Sequence, residues 1–305
     1  MKSMQHRSIV PVLATLFLVS CGGEVETRIN EKTPELIIGG NDASAQAASI
    51  YQMPTPNELF SIVRELDGSG NKSALSGVPN ADRFATLNGR ALNFGVYATD
   101  MVYASKFNIK SEVVRYYLAC KKLGDQLGLA NSFNGEVQQR LEKNLTHGDS
   151  LDVLTNEAYY GAYQKLQEEN MGPTLALVLA GGWIETMHLV MDKVEVYSDK
   201  DPLIARIAEQ KASLEQLIDI MDALKDDGNV AQIRASLTSI RDIYDQLNVV
   251  RTRNSGTSAS GRMVLGDDVS VSITAEKFVE LKAAVEALRT TITRAEDTTG
   301  SGKNT

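Results

Sequence analysis

The sequence TLALVLAGGWI, residues 174–184, lies in the most hydrophobic part of the chain after its first twenty residues. Glu185 interrupts this apolar run after about half of the roughly 20 residues that a helix needs to cross a bilayer. A helix that is apolar on nearly every side is typical of the buried centre of a helical bundle. We therefore expect a helix over residues 174–197 in the middle of the fold, with the other helices packed around it.

Apolar residues recur at helical spacing on both sides of this central helix. The periodicity and the breaks in it predict helices over 55–66, 82–108, 111–128, 134–145, 149–169, 202–224 and 229–250, and from Thr274 onward. Gly89 and Gly95, in the helix over 82–108, would let a neighbouring helix approach closely. Because no βαβ order occurs, the sequence predicts an all-α fold, either a multi-helix bundle or a short α-solenoid of antiparallel helical hairpins.

Two segments of the predicted helices resemble each other. Residues 116–123 (YYLACKKL) and 159–166 (YYGAYQKL) share five of eight positions at an offset of 43 residues. The offset lies in the range of helical-hairpin repeats, which favours the solenoid. The flanking residues do not match, and two amphipathic helices can resemble each other by chance, so both explanations stay open.

One short β-hairpin, at most, is predicted near the C-terminus. Residues 264–265 and 269–273 alternate with period two on either side of Gly266-Asp267-Asp268, which would form the turn. Residues 252–262 are rich in Ser, Gly and Thr and are interpreted as a low-complexity link. Two strands alone are barely stable in water, so the hairpin would need support from the helices.

The first twenty residues have the layout of a secretory signal. Lys2 and Arg7 precede an apolar segment, residues 9–20, that ends at Cys21. This segment is too short to cross a bilayer as a helix, and Pro11 further weakens a spanning helix. The expected organisation is a signal peptide over 1–20, a lipidated flexible tether over 21–54, a helical domain over 55–295 and a disordered tail over 296–305.

The order Leu18-Val19-Ser20-Cys21 resembles the lipobox of bacterial lipoproteins. The resemblance implies cleavage before Cys21 and a covalent lipid on its sulfur, which would anchor the protein to a membrane. Apart from this lipid, no cofactor is predicted. Each buried methylene contributes about 0.8 kcal/mol, so two or three acyl chains make a lasting anchor. The residue after Cys21 is Gly22 and not Asp. In lipoproteins of this kind that implies sorting to the outer membrane of the cell envelope, with the protein facing the periplasm or the surface.

Two phrases in the helical region, residues 93–104 (NFGVYATDMVYA) and 179–185 (LAGGWIE), are similar to uncharacterised all-helical lipoproteins of Gram-negative bacteria. The similarity covers residues 55–250. It implies a helical fold and an envelope location, but no activity and no site residues.

Charge and cysteine content narrow the range of partners. Removal of residues 1–20 leaves 29 basic and 39 acidic residues, a net charge of −10. Nucleic acids are bound by basic surfaces, so this balance argues against a nucleic-acid partner. A negatively charged chain is also not attracted to anionic lipid headgroups, so the covalent lipid is expected to be the contact with the membrane. Cys120 is the one cysteine left once Cys21 is acylated, so no disulfide is expected within the mature chain, and Cys120 is predicted to be a buried thiol.

The sequence contains no motif of a known catalytic class. It lacks the Gly-x-Ser-x-Gly elbow of serine hydrolases and the glycine loops that bind phosphates. Glu185 and His188 are spaced as in di-iron bundles, but the second Glu-x-x-His pair that such bundles need is missing. We interpret the two as hydrogen-bonded core groups, with a mononuclear metal site that adds Glu157 as the alternative. No catalytic, metal or cofactor-binding residue is assigned.

Polar and aromatic residues share a few predicted helices. Asn93, Tyr97, Asp100 and Tyr103 are spaced 4, 3 and 3 residues apart and so lie on one helical face. Together with residues of later helices they form a candidate polar and aromatic pocket: Asn93, Tyr97, Asp100, Tyr103, Glu157, Tyr160, Trp183 and Glu185. Tyr and Trp suit packed cores as well as ligand pockets, so structural packing and a pocket for a small ligand both stay open.

Two functions are compatible with these observations. The first is a non-enzymatic outer-membrane lipoprotein whose helical domain binds an envelope protein or a small ligand. The second is an envelope enzyme, or a small-ligand-binding protein, with its site on the helices over 93–103 and 157–188. A cavity lined together by Asp100, Tyr103, Glu157 and Glu185 would favour the enzyme, whereas aromatic rings packed on one another with no cavity would favour the first function.

Overall fold

A computed structural model describes residues 56–129, 135–144, 148–257 and 263–294. The α-helices in these ranges are α1 (Pro56–Leu66), α2 (Leu87–Lys106), α3 (Lys110–Gln126), α4 (Gly135–Asn144), α5 (Gly148–Glu168), α6 (Gly172–Asp192), α7 (Pro202–Asp222), α8 (Gly228–Tyr244) and α9 (Ala275–Thr293). Two 3₁₀ turns, Lys72–Ala74 and Val78–Arg83, lie between α1 and α2, and strands β1 (Asn248–Thr257) and β2 (Met263–Ser272) lie between α8 and α9. The prediction of an all-α fold is confirmed. The predicted signal peptide, Cys21, the tether and the C-terminal tail lie outside the described residues.

Helix α6 is the centre of the fold. Its residues from Thr174 to Met191 are all buried, and it packs against α1, α2, α5, α7, α8 and α9. Packing of many helices around one is that of a bundle, since the repeats of a solenoid contact only their neighbours. Within the described ranges, α6 is the one helix long and apolar enough to cross a membrane, and it is covered by protein throughout. The predicted buried central helix is confirmed, and the solenoid alternative is wrong.

Glycines bring α2 and α6 into backbone contact. A Cβ atom at Gly95 of α2 would overlap the carbonyl oxygen of Val178, and one at Gly181 of α6 would overlap the carbonyl oxygen of Leu92. The close approach predicted at Gly95 is thereby confirmed. Side chains on the following turn of each helix are consequently held close together.

Helix α9 runs antiparallel to α6 and places its last turns over this crossing. Lys282 Nζ donates to the Met191 carbonyl oxygen at 3.0 Å, near the end of α6. Further along α9, Arg289 Nε lies 2.7 Å from Oε2 of Glu185, in the middle of α6. Helix α9 also packs against α8 and against α2. Helices α2, α6 and α9 therefore meet at one place.

Helix α2 begins later than predicted. Thr86 is its N-cap, with Oγ1 accepting the Gly89 N–H bond at 3.0 Å, whereas the sequence interpretation began the helix at Asp82. A capped start satisfies a donor that the first helical turn leaves free. Residues 78–83 form a separate 3₁₀ turn instead.

The β-hairpin is longer than predicted, and Gly266-Asp267-Asp268 is not its turn. Strands β1 and β2 are antiparallel and pair over their whole length. Residues 252–257 of the predicted link are strand, and Gly266-Asp267-Asp268 lies inside β2. Ladder pairing uses main-chain groups, so the polar composition does not prevent it. Helix α8 ends at Tyr244, not at Val250, because the β-branched Val249 and Val250 belong to β1.

The two similar segments lie in different packing environments. Residues 116–123 belong to α3, which packs against α2 and α4, and residues 159–166 belong to α5, which packs against α2, α4 and α6. Tyr117 is fully buried, whereas Tyr160 at the corresponding position is half-buried. Both explanations of the resemblance, duplication and chance, stay open.

Candidate ligand-binding site

Two buried carboxyl groups meet where α2 and α6 cross. Asp100 of α2 and Glu185 of α6 are both fully buried, and the charge of Glu185 acts on the Asp100 carboxyl group. Arg289 of α9 forms a two-pronged ion pair with Glu185, with Nε 2.7 Å from Oε2 and Nη2 2.8 Å from Oε1. A buried carboxylate needs such a partner, because an isolated charge in the interior is costly.

The surroundings of Asp100 favour its protonated form. Burial and the charge of Glu185 raise the pKa of Asp100 well above its usual range, against an opposing effect of Arg289. Its Oδ2 accepts the backbone N–H of Ser76 at 3.2 Å. Its Oδ1 is buried and has no partner in the described part of the chain. With Asp100 in its protonated form, Asp100, Glu185 and Arg289 form an electrically neutral group.

The segment between α1 and α2 lies across this group. Residues 71–77 are named the site loop. The Ala74 carbonyl oxygen accepts hydrogen bonds from Arg289 Nη2 at 3.2 Å and from His188 Nε2 at 2.9 Å. Arg289 Nη2 also donates to the Ser76 hydroxyl at 2.8 Å, which itself donates to Glu185 at 3.3 Å. The neutral buried group therefore also fastens the site loop.

Two tyrosines hold the C-terminal end of the site loop. Tyr97 donates to the Gly77 carbonyl oxygen at 3.0 Å, and Tyr116 donates to the Ser76 carbonyl oxygen at 2.6 Å. Their rings pack together with centroids 5.9 Å apart. Burial raises the pKa of both phenols, so they stay protonated and keep donating to the loop.

Asn71 holds the N-terminal end of the site loop. Its backbone N–H donates to the hydroxyl of Tyr103 at 2.9 Å, and its Nδ2 donates to Oδ2 of Asp192 at 2.6 Å. Tyr103 is packed edge-on against Phe60 with ring centroids 5.2 Å apart. Both ends of the loop are thus tied to buried helices.

His188 is a positively charged link between α9 and the site loop. Its Nδ1 lies 2.5 Å from Oε1 of Glu286, and its Nε2 lies 2.9 Å from the Ala74 carbonyl oxygen. Both partners accept hydrogen bonds, so both ring nitrogens carry protons. Burial lowers the pKa of His188, but the bond to Glu286 and the charge of Glu185 outweigh it and raise the pKa above its ordinary value.

A cavity of about 270 Å³ lies between the site loop and helices α2, α6 and α9. Its wall is mainly polar, and the side chains that line it are those of Asn71, Ser73, Leu75, Ser76, Asn80, Asn93, Tyr97, His188, Asp192, Arg289 and Thr293. Asn93 Nδ2 donates to the carbonyl oxygens of Gly89 at 2.8 Å and Ile292 at 2.7 Å. These bonds fix the amide so that Oδ1, which is buried, has no partner among the described residues. Asn93, a residue of the cavity wall, therefore holds a buried acceptor that has no partner among the described residues.

The structure places the eight residues of the candidate pocket in different parts of the fold. Asn93 and Tyr97 line the cavity, Asp100 and Glu185 lie behind its wall, and Tyr103 binds the loop. The structure does not bring the other three to this place. Glu157 is on the surface of α5, paired with Arg140 at 3.2 Å. Tyr160 is half-buried beside Tyr159, and Trp183 is a buried core residue.

The structure adds residues that the sequence did not indicate. Ser76 and Asp192 line the cavity, and Arg289 and Glu286 come from the last helix. One signal was available for Arg289, since Glu185 in a predicted buried helix requires a cation. The sequence could not show which of the 31 basic residues supplies it.

The groups suited to acid–base chemistry are engaged within the protein. His188 uses both ring nitrogens, and both carboxylate oxygens of Glu185 contact Arg289. The metal alternative would need Glu157 beside Glu185 and His188, but Glu157 pairs with Arg140 elsewhere. Over the described ranges, no group of three or more His, Cys, Asp and Glu side chains is arranged to hold a metal ion. The groups that acid–base chemistry would use therefore already have hydrogen-bond partners within the protein.

Comparisons with known proteins add no family to this description. No family model, no curated protein and no solved structure matches the chain. The geometry of the cavity and the amino-terminal sequence are therefore the grounds on which a function is proposed.

Proposed function

We propose that this protein is a lipid-anchored, non-enzymatic binding protein of the bacterial cell envelope that holds a small polar ligand in the cavity under the site loop. Asn93 carries the binding proposal, because it is a fully buried amide in the cavity wall whose Oδ1 has no partner among the described residues. A buried polar atom left without a hydrogen bond costs about 1–3 kcal/mol. A ligand that donates to this oxygen would recover that free energy.

The composition of the wall supports binding over catalysis. From the sequence, an enzyme's cavity is predicted to be lined by Asp100, Tyr103, Glu157 and Glu185. None of the four is among the described residues that line this cavity. Aromatic rings pack on one another around it, as in the pair Tyr97 and Tyr116. The absence of those four residues from the described lining favours the non-enzymatic function, whereas the ring packing occurs beside a cavity and decides nothing between the two functions.

The envelope location rests on the amino-terminal sequence. The lipobox resemblance supplies a covalent anchor at Cys21, and the net charge of −10 after removal of residues 1–20 gives no attraction to anionic headgroups. A coil of about 30 residues has a root-mean-square span of about 30 Å. Such a tether would hold the cavity clear of the bilayer surface and open to dissolved ligands.

Native mass spectrometry of the mature protein, extracted from its own membranes, tests the binding function. We expect a mass excess over the denatured protein that is lost in Asn93→Leu. Asn88→Leu is the matched control, because Asn88 Oδ1 is also buried and unpartnered among the described residues, while Asn88 does not line this cavity. Identical masses under native and denaturing conditions in the wild type would contradict the proposal.

Metabolic labelling with an alkyne fatty acid tests the anchor. We expect the label and the membrane association to be lost in Cys21→Ser and kept in Cys120→Ser, since Cys120 is buried and its pKa is raised by burial. A Cys21→Ser protein that is still labelled and still sediments with membranes would exclude the lipid at this position.

A further inference from the structure

We propose that the ligand of this cavity is a small uncharged polyol, such as a monosaccharide. The inference rests on the proposed binding function and specifies its ligand class. It follows from two properties of the wall, namely which charges are already paired and which hydrogen-bonding atoms are left open.

Two of the three charged residues among the described lining of the cavity are paired with an opposite charge within the protein. Arg289 faces Glu185, and His188 faces Glu286. Asp192 is the remaining charged residue of the lining, and its Oδ2 accepts from the Asn71 amide at 2.6 Å. The near-neutral balance offers little to a ligand with a net charge. An anion would have to compete with Glu185 for Arg289 and would also meet Asp192. A cation would meet Arg289 and the protonated imidazole of His188.

The open hydrogen-bonding atoms are a mixture of donors and acceptors. Arg289 Nη1 is an unused donor, since the bonds formed by this guanidinium within the described residues involve only Nε and Nη2. Asn93 Oδ1 is a buried acceptor without a partner among the described residues, on a residue that lines the cavity. The Asn80 amide, which forms no side-chain hydrogen bond in the described part of the chain, offers both functions. A hydroxyl group both donates and accepts, so a polyol can satisfy all of these atoms in turn.

These groups are spread along the cavity in a definite order. The antiparallel contacts of α6 and α9 place Asp192 at one end, Arg289 beside Glu185 in the middle, and Asn93 beside Ile292 at the other end. Seven residues of α6 separate Glu185 from Asp192, which corresponds to about 10 Å of helix. The cavity of about 270 Å³ lies just below the size of sites for drug-sized molecules. A molecule with several hydroxyls and few apolar atoms matches both the spacing and the volume.

Saturation-transfer NMR on the full mature lipoprotein, in a detergent without a sugar headgroup, tests the ligand class. The probes are D-glucose, D-galactose and myo-inositol, with D-gluconate and D-glucosamine as charged relatives of nearly the same shape. We expect at least one neutral probe to bind at least tenfold more tightly than both charged probes. Asn80→Leu should weaken that binding at least tenfold. Because this side chain makes no hydrogen bond among the described residues, the fold should be kept. Asn93→Leu should act in the same way.

The outcomes separate the ligand class from the binding function. Tighter binding of gluconate or glucosamine would overturn the polyol while leaving the cavity as a binding site. If no neutral probe binds up to 10 mM but the native protein shows a mass excess, the polyol is likewise overturned and the cavity is kept as a binding site. Failure of every probe with no mass excess would overturn the proposed function as well. Binding of a neutral probe that survives both Asn80→Leu and Asn93→Leu would place the polyol elsewhere and overturn the inference.

Discussion

The site-loop side of the molecule and the α7–α8 hairpin are held together by different forces. Leu214, Leu217, Leu237 and Ile240 are all buried at the hairpin, and α7 and α8 pack directly on each other. At the site loop, an ion pair, the carboxyl group of Asp100 and three tyrosine hydroxyls hold a segment of backbone against α2, α6 and α9. One region is fixed by apolar contact and the other by a connected set of polar groups.

The difference separates what the fold needs from what a site needs. Replacing a buried ion pair by well-packed apolar residues is often neutral or stabilising, whereas removing one partner is strongly destabilising. Stability alone therefore does not require Arg289 and Glu185. We attribute the pair to the cavity, where it fixes the site loop without leaving an unpaired charge. Breaking contacts in each region tests this distinction.

Arg289→Met should cause the largest loss of stability. It leaves Glu185 buried without its cation and removes two bonds to the site loop, so we expect the free energy of unfolding to fall by about 3–5 kcal/mol. Denaturant unfolding with intrinsic fluorescence measures this change.

The control for Arg289 lies on the hairpin side. Arg206→Met removes a pair with Glu209 whose side chains are 38% and 51% exposed, and such a pair contributes about 0–1 kcal/mol. An equal fall in the free energy of unfolding in the two variants would show that the buried ion pair contributes no more to stability than the exposed one. The double variant Glu185→Gln/Arg289→Met should recover part of the loss.

Gly95→Ala should destabilise the crossing of α2 and α6. The added methyl group would overlap the Val178 carbonyl oxygen, and overpacking of this kind costs about 1–3 kcal/mol. Gly161→Ala in α5 is the matched control, because no atom lies within 4 Å of its Cβ position. A helical Gly→Ala change without a clash should stabilise by up to about 1 kcal/mol. Thermal unfolding that moves the same way in both variants would contradict the packing described for Gly95.

Asp227→Ala should weaken the α7–α8 hairpin without affecting the cavity. Oδ1 of Asp227 caps α8 by accepting the N–H bonds of Asn229 at 2.9 Å and Val230 at 3.1 Å. Loss of such a cap costs about 1 kcal/mol. Binding of a cavity ligand, measured well below the unfolding temperature, should stay as in the wild type. A clear loss of binding would show that the two regions are coupled.

The smallest expected effect is a pH dependence that arises at His188. The pKa of His188 is raised in the folded protein, and that of an unfolded histidine is about 6.5. Its contribution to stability is therefore complete below about pH 6.5 and is lost as the pH rises through the folded pKa. The neutral ring can donate to Glu286 or to the Ala74 carbonyl oxygen, but not to both.

The measurement is the difference in unfolding free energy between the wild type and His188→Gln from pH 6 to 9. The difference should shrink as the pH rises. A difference that is constant or grows with pH would contradict the doubly protonated imidazole. The pKa of Glu286 is lowered, despite an opposing effect of burial, so its own contribution is lost only at acidic pH, outside this range.

The apolar part of the fold was largely predictable from the sequence. The run over 174–184 predicted the central helix α6, and Gly95 predicted a close helix crossing, since both signals depend on local composition and spacing. The hairpin was less predictable, because the ladder of β1 and β2 joins residues far apart in sequence through main-chain atoms. Side-chain patterns carry little information about such pairing.

The site was predictable only in part. The spacing of Asn93, Tyr97 and Asp100 placed them on one helical face, and two of the three line the cavity. The partners that give these side chains their role come from the site loop and from Arg289, which is 104 residues from Glu185 in the chain. Neither segment has a periodicity that points to the other, so only the folded chain reveals their contact.

A high-resolution crystal structure of the mature protein, purified with whatever it carries from the cell, tests the central claim most directly. We expect continuous density for a small molecule between the site loop and α9, within hydrogen-bonding distance of Arg289 Nη1 and Asn93 Oδ1. A cavity that holds only separate ordered waters, or that is closed by a different arrangement of residues 71–77, would contradict the account.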